Sequence, residues 1–138
     1  MRGVSAVLIA FAFALTSLAV AVGAQAKGGN PKAAAMKNPV PATAASIAKG
    51  QQNYNKACRQ CHGSKGLGDG NLAPKDPSPA DLTDDKWDYG SSDGEIFFVI
   101  ANGIEGSEMK GVRSQVAATE IWHIVNFVRS LGPKPDVR

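Results

Sequence analysis

The chain has 138 residues and carries 15 Lys and Arg against 12 Asp and Glu, a formal net charge of +3. An excess that small gives no reason to expect nucleic acid or an anionic membrane as a partner.

At the N-terminus, Arg2 is followed by a nearly uninterrupted apolar run from Val4 to Gly23 and then by Ala24-Gln25-Ala26. A charged start, an apolar stretch and a small-residue ending predict a secretory signal over residues 1–26, cleaved after Ala26. The competing reading is an uncleaved membrane anchor, since the run is just long enough to cross a bilayer core of roughly 30 Å. The Ala-x-Ala ending favours removal, which leaves 14 basic and 12 acidic side chains, close to neutral. An exported, periplasmic protein is the expectation.

Residues 27–45 are rich in Ala, Pro, Gly and Lys, contain no aromatic residue and show no apolar periodicity, so they read as a flexible linker or a loosely docked arm. The rest, residues 46–138, reads as one small domain. Domains of this size remove a modest share of their surface from water and often need an added staple or cofactor.

Three helices are predicted in that domain. In the first, Ser46 can cap, and Ile47, Gly50, Tyr54, Ala57 and Cys61 recur at three- or four-residue steps. The second opens on Ser92 and Glu95 at capping-box spacing, presents Ile96, Phe97, Val99 and Ile100, and stops at Gly103. In the third, Ile121, Ile124, Val125, Val128 and Leu131 share one face, and Gly132-Pro133 ends the run. Between the first two helices, residues 63–91 hold Gly63, Gly66, Gly68, Gly70, Pro74, Pro77 and Pro79, and no stretch alternates long enough to make a strand. The expectation is an all-α domain whose long loops wrap something. Asp76, Asp81, Asp84, Asp85, Asp88, Asp93 and Glu95 crowd one stretch, which reads first as a solvated surface and second as a docking face for a basic partner.

Cys58-Arg59-Gln60-Cys61-His62 is a Cys-x-x-Cys-His pattern, the spacing of c-type haem attachment. Two intervening residues put both sulfurs on one side of a helical turn, where each can form a thioether with a haem vinyl group. The histidine that follows can then bind the iron from the proximal side. Other readings fit less well. A thioredoxin-like pair expects a βαβ context, whereas here a helix precedes and a Gly-rich loop follows. A structural zinc site wants four Cys or His ligands, and beyond the motif only the distant His123 is available. A disulfide between residues three apart closes a tiny loop and adds little stability. Two inert buried thiols would leave the adjacent His62 unexplained. For a sixth iron ligand the candidates are Met36, in the linker; His123, which falls away from the apolar face of the third helix and reads as a solvated surface histidine; and Met109, in the loop between the second and third helices.

With these residues assembled, residues 46 to about 132 resemble a class I c-type cytochrome of the small bacterial single-haem kind. Gly50 and Tyr54 stand before Cys58 at the family's offsets, and Ile124 and Phe127 match the helix positions that cross them. Cys61 to Gly70, with Gly63, Gly66 and Gly68 in place, is similar to the loop beneath the haem, and Asn102 to Met109 is similar to the loop that carries a methionine ligand. The resemblance implies a cytochrome c fold with N- and C-terminal helices crossing and one covalently attached haem c. It also implies His62 and Met109 as iron ligands, a proline carbonyl that orients His62, for which Pro74, Pro77 and Pro79 are candidates and Pro79 is preferred, and Leu82 packed on the haem. Ala117 stands where a capping residue is usual, so Thr119 is expected to cap the last helix later and shorten it. The implied activity is one-electron transfer with redox protein partners, such as a dehydrogenase, an oxidase or a reductase. The rivals are a haem enzyme or gas sensor with an open iron site, and an electron-entry subunit of a larger complex.

Overall fold

The computed structural model describes residues 27–132; the predicted leader at 1–26 and the last six residues lie outside the described part. Among the described residues five helices follow one another: α1 (Pro31–Ala34), α2 (Ala44–Ala57), α3 (Arg59–His62), α4 (Asp93–Asn102) and α5 (Ala118–Leu131). Among the described residues the only strand-like pairing is one antiparallel bridge between Gly103 and Lys110. The all-α expectation holds.

The crossing of α2 and α5 organises the domain. At Gly50 the α2 backbone lies so close to α5 that a β-carbon would overlap the His123 carbonyl oxygen and press on Phe127 Cβ. Only glycine permits that approach. One turn later Tyr54 is fully buried, its ring 5.0 Å from that of Phe127 and tilted by 56°. Ile121, Ile124 and Val125 are sealed beside it. The apolar stripe of α5 thus faces inward, and its burial is the main driving force of the fold.

α4 packs against α5. The predicted capping box is present: the Glu95 amide donates to Ser92 Oγ (3.2 Å), and the Glu95 carboxylate accepts from the Ser92 amide (3.0 Å). Phe97 stacks on Trp122 at 4.1 Å. Arg129 of α5 binds Asp93 Oδ1 at 2.7 Å, also donates to the Ser91 carbonyl, and lies 5.8 Å from the Trp87 ring centre, so the C-terminal half of α5 anchors the start of α4.

Several sequence expectations are corrected. The cap of α2 is Thr43, whose hydroxyl accepts from the Ser46 amide at 3.2 Å. Ser46 is itself buried, and its hydroxyl lies 2.8 Å from His123 Nδ1 and accepts from Asn126 Nδ2 at 2.8 Å. His123 is therefore not a solvated surface histidine but part of a polar cluster at the helix crossing. α5 begins at Ala118, ahead of the expected cap Thr119, which lies inside the helix; Ala117 holds the cap position with no side-chain bond.

Of the two readings of residues 27–45, a flexible linker or a docked arm, the described residues take the second and form a strap. Its Gly28 amide donates to the Asp88 carbonyl (2.8 Å), its Asn30 amide to Glu95 Oε1 (2.9 Å), and Asn30 caps α1. Ala33 is buried against Gly94, and Asn38 binds Asn126 Oδ1 at 2.8 Å. Polar side chains and backbone close-packing hold it, and neither leaves an apolar period in the sequence. The acidic stretch is divided: Asp93 pairs with Arg129 and Glu95 is buried, whereas Asp76, Asp85 and Asp88 are exposed, Asp88 pairing with Lys27 (3.2 Å) at the surface, and Asp81 and Asp84 accept from the amides two residues on.

Candidate functional site

Cys58 ends α2, with its amide donating to the Tyr54 carbonyl (2.8 Å), and begins α3, with its carbonyl accepting from the His62 amide (2.9 Å). The short α3 brings Cys61 and His62 onto the next turn. Gly63 stops it, and the Tyr54 hydroxyl donates to the Gly63 carbonyl at 2.8 Å, tying the end of the motif to the core. Both cysteines are free thiols and half-buried. Burial, with a smaller push from neighbouring Cys61, raises the Cys58 thiol to about 11, so it stays protonated.

His62 is fixed from one side. Its Nδ1 lies 3.3 Å from the Ala80 carbonyl oxygen, a long hydrogen bond in which Nδ1–H donates. That tautomer turns Nε2 toward any metal, the usual device for orienting a histidine ligand. Burial lowers the His62 pKa, only partly offset by the Ala80 carbonyl, and so favours the neutral imidazole that a metal requires. The orienting carbonyl is Ala80's, not the Pro79 carbonyl expected from sequence. Pro79 turns its oxygen toward Gly68, where a β-carbon would overlap it. Gly68, at φ +76°, is thus required twice over, by conformation and by space. Leu82 packs on the edge of the core: its amide donates to the Gly66 carbonyl (2.6 Å), and its Cβ faces Gly66.

The remaining candidates separate clearly. Met109 is half-buried in a closed loop after α4: its carbonyl accepts from the Ile104 amide (3.0 Å), and its amide donates to Ser107 Oγ (3.1 Å). Met36 lies on the strap against Gly94, and His123 is engaged with Ser46. Sequence reasoning missed Ala80, the Tyr54–Gly63 bond and the polar cluster of Ser46, Asn126 and Asn38. Only the glycines of the loop hinted at the close approaches.

Two reduced thiols and an oriented neutral imidazole on adjacent turns are a donor set that fits a covalently bound haem. With crossing helices and long loops about them, they define a c-type cytochrome of class I. Residues 45–128 match the family described as cytochrome c oxidase, cbb3-type, subunit III, and the chain belongs to that family. Its cofactor is a covalently attached haem c, and Cys58 and Cys61 fit the attachment. Among solved structures the chain is similar to one in the Kuenenia stuttgartiensis reducing HAO-like protein complex, with 27% identity and a TM-score of 0.63 over 71% of this chain and 50% of that one. Cytochrome cL from Methylophaga aminisulfidivorans is 30% identical with a TM-score of 0.53, covering 62% of this chain and 55% of that one. Cytochrome cL from Hyphomicrobium denitrificans, at 24% identity and a TM-score of 0.55 over 68% of this chain and 51% of that one, is alike in fold. The chain thus spans about half the length of these solved chains. No curated protein sequence matches it.

Proposed function

We propose that the chain is an extracytoplasmic one-electron carrier, with His62 and Met109 as the axial ligands of its haem. When bound, the haem supplies a reversible one-electron iron couple, taking an electron from a reduced donor protein and giving it to an oxidised acceptor, with no atom transferred. The observation that carries this reading is the convergence of Cys58, Cys61 and His62 on one turn and the next, with Nδ1 of His62 held by the Ala80 carbonyl. Cys58 and Cys61 hold the ring, Ala80 fixes the imidazole plane, and the Gly63–Tyr54 bond keeps the motif seated on the core.

The Met109 assignment is supported by elimination and by placement. His123 is committed to Ser46 and Met36 to the strap, while Met109 is held by backbone bonds in a loop of its own. A thioether favours the ferrous state, so His/Met ligation favours a carrier with a raised potential. Export rests on the N-terminal pattern of residues 1–26, and no helix among the described residues is long and apolar enough to cross a membrane. The deciding experiment is the absorption spectrum of the oxidised holoprotein with an intact mass. Low-spin iron with the weak long-wavelength band of a methionine ligand, on a polypeptide lacking its first 26 residues and heavier by one haem, is the expected result. High-spin iron that binds carbon monoxide readily points instead to a haem enzyme or sensor.

A second reading, an electron-entry subunit of a larger redox assembly, is favoured by the similarity to a chain of the Kuenenia complex. Native purification separates the two: a carrier elutes alone, a subunit with its assembly.

A further inference from the structure

Met109 lies in the loop between α4 and α5, and both ends of that loop are tied to α4. The Val112 amide donates to the Ile100 carbonyl (3.1 Å), the Arg113 amide donates to the Ala101 carbonyl (3.1 Å), and Gly103 and Lys110 form an antiparallel bridge. Arg113 Nη1 also donates to Asn102 Oδ1 at 2.8 Å. The neck of the loop is therefore closed without help from its tip. Within the tip, Ile104 and Met109 are joined twice. The Ile104 amide donates directly to the Met109 carbonyl (3.0 Å). The Ser107 hydroxyl bridges the other pair, donating to the Ile104 carbonyl (2.8 Å) and accepting from the Met109 amide (3.1 Å).

A hydroxyl has one proton to give and lone pairs to receive, and here both functions are used within the loop. Ser107 is itself held in place, since its amide donates to the same Ile104 carbonyl (3.2 Å) and the Lys110 ammonium donates to the Ser107 carbonyl (2.8 Å). The consequence falls on Met109. Its carbonyl bond fixes one side of the α-carbon, its amide bond to Ser107 fixes the other, and with both held the Cα–Cβ direction is set. Without the hydroxyl, the Glu108–Met109 peptide is free to turn its N–H to water. Packing does not replace that bond, because Glu105, Gly106 and Glu108 around it are all exposed.

We propose that Ser107 is a positioning residue for the iron, its hydroxyl aligning the Met109 backbone so that the thioether keeps its place in both oxidation states. This role rests on the reading of Met109 as an axial ligand given above. Groups that hold a metal ligand in orientation typically carry 10- to 100-fold of its affinity, roughly, although they never touch the metal. The oxidised state is where the alignment counts most. A thioether favours ferrous iron, so ferric iron holds it less firmly and depends more on a loop that already presents it.

The test titrates imidazole into the oxidised haem-loaded protein, comparing wild type with Ser107→Ala, Ser107→Thr and His123→Ala. Imidazole takes the sixth position only while Met109 is off, so its apparent affinity reports the open fraction. Ser107→Ala should bind imidazole about tenfold more tightly than wild type and release Met109 faster at saturating imidazole, with a weakened methionine band. Ser107→Thr, which keeps the hydroxyl, should behave as wild type. So should His123→Ala, which loses a hydrogen bond at the helix crossing and controls for general loosening. A second measurement needs wild type alone: in the reduced holoprotein the Met109 amide should exchange with deuterium at least about tenfold more slowly than in a free peptide. The proposal is overturned by Ser107→Ala within about twofold of wild type, by Ser107→Thr opening the iron as Ser107→Ala does, by His123→Ala opening it equally, or by an unprotected Met109 amide. A wild type that lacks the methionine band sinks the ligand reading itself; a wild type that shows it, matched by Ser107→Ala, sinks only the role of Ser107.

Discussion

The Tyr54 hydroxyl donates to the Gly63 carbonyl at 2.8 Å, joining the last turn of α2 to the residue just past His62. Burial, followed by the nearby Cys58 and Asp69, pushes this phenol well above its ordinary pKa, so it remains a donor throughout the working pH range. Tyr54→Phe keeps the ring against Phe127 but orphans a buried carbonyl. It should cost about 1–2 kcal/mol, measured by denaturant unfolding of the holoprotein.

Gly50→Ala tests the helix crossing. The new methyl group would meet the His123 carbonyl, which is backbone and has no rotamer to escape into. Overpacking of this kind costs about 3 kcal/mol or more, against a small gain in helix propensity. A holoprotein melting as wild type would mean that α2 and α5 do not approach this closely.

Cys58→Ser combined with Cys61→Ser should leave no haem on the polypeptide after acid–acetone extraction, or no folded protein. Retention of the pigment would refute thioether attachment.

Met109→Ala should lower the reduction potential, abolish the weak long-wavelength band and open the iron to carbon monoxide. His123→Ala should do none of these, but it removes one of the two partners of the buried Ser46 hydroxyl and should cost about 1 kcal/mol of stability. Exchange of the two phenotypes would reverse the ligand assignment.

Glu95 predicts an acid limb. Burial alone raises its pKa, but hydrogen bonds from the Ser92 amide and hydroxyl and from the Asn30 and Ser91 amides outweigh it, so the folded-state value is depressed. Its contribution is therefore complete above the unfolded carboxylate value, about 4.3, and is lost as pH falls through the lower folded value. Glu95→Gln should destabilise at pH 7 and flatten that loss. An unchanged stability–pH profile below about pH 5 would exclude the effect.

The parts of the domain written in side-chain pattern were legible in the sequence: the inward stripe of α5, the capping box of Ser92 and Glu95, and the Cys58–His62 spacing each leave a period or a motif. Features built from backbone were not. The Ala80 carbonyl lies one residue from the predicted Pro79 carbonyl, and no side chain distinguishes them. Thr43 and Ser46 are chemically equal caps, and only the demand of His123 and Asn126 for a buried hydroxyl sends Ser46 inward. The strap hid for the same reason, since Asn30, Asn38 and Ala33 look like loop residues until the surfaces of α4 and α5 are present.

That strap also separates the unit of homology from the unit of folding. The family match begins at residue 45, downstream of Ala33, Asn38 and Val40. A polypeptide trimmed to that boundary would strip the Asn38 partner from Asn126, uncover Gly94 and leave Glu95 short of a donor. Excision at the alignment edge should therefore yield a frayed, protease-sensitive fragment, and grafting this domain onto another carrier calls for keeping the chain from residue 27 onward.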